Sequence, residues 1–125
     1  MVRKNILSVC VAVLILFLSF ARASTFSRLH LPAIPNLDKI VHIIMYFTLM
    51  LALIIENRAI LDTVKSYLIL ATIPAFFGAI IEIFQSMFTT TRTGDILDFC
   101  ADAAGIILSV VVWLIIKRFI KTDVR

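Results

Sequence analysis

Apolar residues fall in four long blocks, at about 6–21, 39–55, 66–88 and 96–116, and short polar segments separate them. Each block is too long for a strand and lacks the period-2 alternation of a barrel. The pattern therefore predicts four helices. In the first polar segment, Pro32 and Pro35 break any helix, and Asn36 or Asp38 can cap the next one. Pro74 falls inside the third block and predicts a kink, and Gly78 allows a close helix approach four residues later. The first block is open to two readings. Ala21-Arg22-Ala23 has the small-x-small form of a signal-peptide cleavage site, so residues 1–23 read either as a cleaved signal or as a retained first span. The retained span is preferred.

Composition turns these helices into spans. The chain has 125 residues, 62% of them hydrophobic and only 16% charged, and its mean hydropathy is +1.07. A soluble domain would carry more charge. The expectation is an all-α polytopic membrane protein, residues 1–125 forming one domain, a four-transmembrane-helix bundle. The net charge of +4 does not point to nucleic acid, because the basic residues flank apolar blocks, where topology signals belong. Cys10 and Cys100 lie in or beside different blocks without metal spacing and read as apolar filler.

Charge then sets orientation. With the start inside, the inner segments hold Arg3, Lys4, Arg58, Lys65, Lys117, Arg118, Lys121 and Arg125, and the outer segments hold Arg22, Arg28, Lys39 and Arg92. This asymmetry predicts that both termini are cytoplasmic.

That orientation brings three polar groups to one side. Asp38, His42 and Tyr46 are spaced i, i+4, i+8 at the outer start of the second span, next to Lys39. Glu82 and Gln85 share a face with Gly78 at the outer end of the third. Asp95, Asp98 and Asp102 form a stripe at the outer start of the fourth, just after Arg92. Ionisable residues at membrane depth normally face the bundle interior. Plainer roles stand beside the functional ones. Asp38 and Asp95 suit helix caps, Lys39 a snorkelling residue, and His42 and Tyr46 interfacial anchors. Glu82, Asp98 and Asp102 suit ion pairs with Arg92 or Lys39. Trp113 and the phenylalanines read as lipid-facing or packing residues.

The set Asp38-Lys39-x-x-His42-x-x-x-Tyr46, then Glu82-x-x-Gln85, then Arg92-x-x-Asp95-x-x-Asp98-x-x-x-Asp102-x-x-Gly105 resembles the VanZ-like family of bacterial membrane proteins. The resemblance runs from about Leu37 to Ser109. The family commonly has Asn where this chain has Asp102. The resemblance implies a multi-pass protein of the bacterial cytoplasmic (inner) membrane. It also implies a link to the cell envelope and to resistance to glycopeptides of the teicoplanin type.

Three functional readings follow. In the first, an outward-facing polar pocket binds a lipid-linked or cell-envelope head group. Arg92 and Lys39 would hold phosphate, and Asp38, His42, Tyr46, Glu82, Gln85, Asp98 and Asp102 would complete the pocket. The partners would be membrane lipids or a lipid-linked cell-wall precursor. In the second, the same residues form an intramembrane enzyme acting on an envelope lipid, with Glu82 as acid or base and His42 and Asp98 as further catalytic candidates. The third is a small transporter, disfavoured because the inner halves of the spans look apolar. There is no serine elbow, HExxH or glycine-rich phosphate loop. No cofactor is expected. No metal is expected either, since no local ligand spacing among His42, Glu82 and the aspartates demands one.

Overall fold

The four predicted helices form. The computed structural model describes residues 5–25, 37–88 and 96–123. They comprise α1 (Ile6–Thr25), α2 (Leu37–Asn57), a single 3-10 turn (Arg58–Ile60), α3 (Val64–Phe88) and α4 (Ile96–Asp123), with no strand among the described residues. Three stretches are long and apolar enough to cross a membrane: Leu37–Ile60, Val64–Met87 and Ile96–Lys121, of 24, 24 and 26 residues. About 20 residues suffice for a bilayer core. The apolar part of α1, Ile6–Phe20, is shorter.

The helix ends follow local chemistry. Asp38 stands in the first turn of α2 and Asp98 in that of α4, where carboxylates suit the positive helix terminus. Asn36 and Asp95, the other expected caps, lie outside the described residues. Helix α3 starts two residues earlier than the apolar pattern suggests, because Thr63 and Ser66 cap it reciprocally. The Ser66 N–H donates to Thr63 Oγ1 and the Thr63 N–H to Ser66 Oγ, each at 3.3 Å. Helix α3 then continues through Pro74, which is fully buried. Helix α4 does not stop at Ile116 but runs on through the basic tail to Asp123. Lysine and arginine are good helix formers, and cations suit a helix C-terminus.

Side-chain contacts fix the directions. Glu56, at the end of α2, accepts hydrogen bonds from the N–H groups of Leu7 (2.6 Å) and Ser8 (3.2 Å) and from Ser8 Oγ (2.6 Å) at the start of α1. At the same end, Lys117 Nζ of α4 donates to the Leu61 carbonyl at 3.2 Å and lies 6.0 Å from the centre of the Tyr67 ring. At the opposite end, Gln85 Nε2 of α3 donates to the Ser19 carbonyl of α1 at 3.0 Å. Successive helices are thus antiparallel, so α2 and α4 run parallel.

Helix α2 is the centre of the bundle and packs most extensively on α4. Its inward stripe holds His42, Met45, Tyr46, Leu49 and Leu53. The facing side of α4 is lined by Ala101, Gly105 and Ser109, all buried and four residues apart. Small residues at this spacing let backbones approach closely in a membrane, where dispersion rather than apolar burial holds helices together. A Cβ at Gly105 would run into the Ile43 carbonyl oxygen and stand 3.0 Å from the Phe47 nitrogen. Helix α1 adds Ser8, Ile15 and Ser19, a single buried face. Trp113 and Phe77 pack against the core, whereas Phe17, Phe76 and Phe119 are exposed. Large exposed apolar residues occur on every helix, as expected where lipid replaces water. Both cysteines are free and exposed.

Glu56 gives the first testable outcome. It satisfies orphan N–H donors at the start of α1, a capping role filled here by a residue far away in sequence. Glu56→Ala should lower stability by about 1–3 kcal/mol and make the chain near Asn5 more sensitive to protease. Thermal unfolding in detergent, followed by limited proteolysis, reads both effects; an unchanged melting temperature would remove Glu56 from the account of how α1 docks.

Candidate functional site

The start of α2, the end of α3 and the start of α4 share one end of the bundle. His42 is five residues inside α2, Glu82 six residues before the end of α3, and Asp102 six residues inside α4. At 1.5 Å per residue, all three lie about 7–9 Å in from their helix ends. They meet there. One ligand-type atom from each lies within 4.8 Å of the others.

His42 and Asp102 form the core of the cluster. Their relative exposures are 2% and 1%, and Nδ1 of His42 is hydrogen-bonded to Oδ1 of Asp102 at 2.7 Å. A carboxylate on one ring nitrogen orients the imidazole and sets its tautomer. The second oxygen of Asp102, Oδ2, is also buried and has no hydrogen-bond partner among the described residues. It points at α3, since a Cβ on Gly78 would come within 2.8 Å of it. Gly78 stands one helical turn before Glu82, so this oxygen faces the helix that carries the second carboxylate. Glu82 is partly buried, with its Oε1 shielded from solvent.

Tyr46 closes the inner side. It is 1% exposed, its ring is nearly parallel to that of His42, 6° apart in plane with centroids at 6.4 Å, and it lies within electrostatic reach of Asp102 and Glu82. The Gly78 site also abuts this ring: a Cβ there would be 3.1 Å from Tyr46 Cε1. Gly78 thus leaves space for Asp102 and Tyr46, a function more specific than general helix approach.

The remaining candidates divide. Asp98 is half-buried, one turn nearer the start of α4 than Asp102, and its charge acts on Asp102. Asp38 is exposed and Lys39 half-buried in the first turn of α2, outside the three-residue cluster. Gln85 is buried but is engaged with the Ser19 carbonyl of α1, where it ties two helices together. Arg92 and Asp95 lie outside the described residues. The sequence singles out every member of the cluster, and it misses Glu56, whose partners are the backbone of another helix. The signal for Glu56 was a lone carboxylate directly after the apolar run ending at Ile55.

Chemically, the cluster offers two carboxylates and an imidazole away from water. It can donate and accept hydrogen bonds, relay a proton, or ligate a cation. Comparison with protein-family models, with curated proteins and with solved structures finds no match to the chain.

Proposed function

We propose that this chain is a four-span protein of the bacterial inner membrane, VanZ-like in character, that binds the head group of a lipid-linked or cell-envelope molecule at the outer face, in keeping with a role in glycopeptide resistance. The observation that carries the reading is the buried His42–Asp102 pair with Glu82, assembled from three helices about one and a half turns below one end of the bundle. Such groups are expensive in a membrane, about 2.5–3.5 kcal/mol for a charge at the helix centre and less near the ends. Their convergence at one depth favours a site over three independent accidents. The distribution of Lys and Arg supports an outer position for that end and cytoplasmic termini. Helix α1 is taken as the fourth span: its 20 residues extend about 30 Å, of which the apolar part Ile6–Phe20 covers about 22 Å. Arg92, four residues before α4 in sequence, and Lys39 supply the cations for a phosphate.

A second reading draws on the same hydrogen bond. A carboxylate on Nδ1 of His42 leaves Nε2 for proton transfer, and Glu82 is within reach as an acid or base, the arrangement of an enzyme working on an envelope lipid. One experiment addresses both. The protein is extracted with its native lipid, and co-purifying molecules are identified by mass spectrometry for wild type, Arg92→Ala and Glu82→Gln. Binding through phosphate predicts that Arg92→Ala loses a specific lipid that wild type retains. An enzyme predicts in addition that cells carrying Glu82→Gln accumulate an unconverted lipid. Equal retention by Arg92→Ala would sink the head-group reading, and identical lipid profiles would sink the enzyme.

A further inference from the structure

The geometry points to a divalent transition-metal site at His42, Glu82 and Asp102, which we infer to be the ligands of a single ion such as Zn²⁺. No local ligand spacing marks a metal in the sequence, but spacing within one helix cannot reveal ligands contributed by three. The ligand atoms are already within 4.8 Å of one another. Bonds of about 2.0–2.2 Å to nitrogen and oxygen bring ligand atoms to roughly 3–3.5 Å apart, so on metal binding the 2.7 Å hydrogen bond between His42 Nδ1 and Asp102 Oδ1 gives way to two bonds to the ion as the side chains rotate.

Three observations favour a metal over a plain hydrogen-bonded cluster. First, the donor set is mixed: one imidazole and two carboxylates, a combination suited to zinc, iron or manganese rather than to calcium or magnesium alone. Second, Asp102 is 1% exposed, yet its Oδ2 has no hydrogen-bond partner among the described residues and points toward the helix bearing Glu82. A buried polar atom left in this way calls for a partner, and a cation bridging Asp102 and Glu82 supplies one. Third, ligand atoms of the imidazole and of both acidic side chains converge at one place inside the bundle, where a single divalent ion can engage all three.

Three protein ligands leave a tetrahedral ion with one open position. That position would accept a water or an anionic oxygen. If the head-group reading above holds, a phosphate oxygen is the natural occupant; the metal inference does not depend on it.

The test reads the metal alone. Full-length protein in lipid nanodiscs is stripped with chelator, then equilibrated with Zn²⁺ and its metal content counted. One equivalent per chain is expected. Asp102→Asn and Glu82→Gln, which preserve side-chain shape, should each weaken binding at least about tenfold. Co²⁺ in place of Zn²⁺ should give visible absorption bands in the wild type that either variant loses. Should Asp102→Asn fail to fold, Glu82→Gln decides alone. No uptake by folded wild type, or undiminished uptake by the folded variants, overturns the site. Because no lipid is scored, a protein that binds zinc but no head group, or the reverse, separates this inference from the proposed function.

Discussion

Gly105→Ala is expected to destabilise the bundle by about 2–3 kcal/mol or more and to loosen the His42–Asp102 pair at the same time. A methyl group at Gly105 meets the carbonyl oxygen of Ile43 and the amide of Phe47. These are backbone atoms of α2 and cannot rotate aside, so the two helices must move apart. Overpacking usually costs about 1–3 kcal/mol, and here the wedge sits at a close approach of the two most extensively packed helices. Ile43 directly follows His42, and Gly105 lies one turn beyond Asp102. Any separation there stretches a hydrogen bond that is now 2.7 Å. Gly78→Ala is the control. Its Cβ meets side-chain atoms, Asp102 Oδ2 and the Tyr46 ring, which have freedom to yield, so it should perturb the cluster with a smaller loss of stability. Thermal unfolding in detergent, with the imidazole NMR signals of His42, measures both consequences. Wild-type stability in Gly105→Ala would disprove the close packing of α2 on α4.

Asp102→Leu or His42→Leu should each cost on the order of 3–5 kcal/mol, while the double variant should cost much less than the sum. Removing one partner of a buried pair strands the other without its hydrogen bond. Removing both strands neither member of the pair, with Glu82 and Tyr46 remaining beside the new leucines. The non-additivity is the informative quantity, because it isolates the pair from the packing of either residue. Chemical unfolding of the four proteins in one detergent completes the cycle. Simple additivity would mean that the 2.7 Å contact contributes little, and the two residues would then matter only as volume.

Much of this architecture could be read from the chain. The apolar blocks found the helices to within about a turn at most ends, because a bilayer-length apolar run admits few other structures. Spacing within each helix put His42, Glu82 and Asp102 among the inward-facing candidates, and the structure brings these three together. Spacing could not rank the neighbours, however. Asp38 shares a helical face with His42 but lies in the exposed first turn, and Gln85 shares one with Glu82 but turns to the backbone of α1. Both distinctions depend on which helix stands opposite. The dominance of α2–α4 packing was equally hidden, since those helices are not consecutive. Its trace in the sequence was the run of small residues Ala101, Gly105 and Ser109, meaningful only once its partner is known. Glu56 escaped for a similar reason. Its ligands are main-chain amides, which every residue carries and no sequence pattern marks.

The order of the helices has a consequence for biogenesis. The contact between His42 and Asp102 spans 60 residues of chain, and α4, which carries Asp102, leaves the ribosome after α1, α2 and α3. Helices α1, α2 and α3 can pack and exchange the Glu56 and Gln85 contacts before α4 exists. The cluster cannot. Packing of α4 beside α2 is therefore the step that assembles the His42–Asp102 pair, and a chain truncated after α3 would lack it.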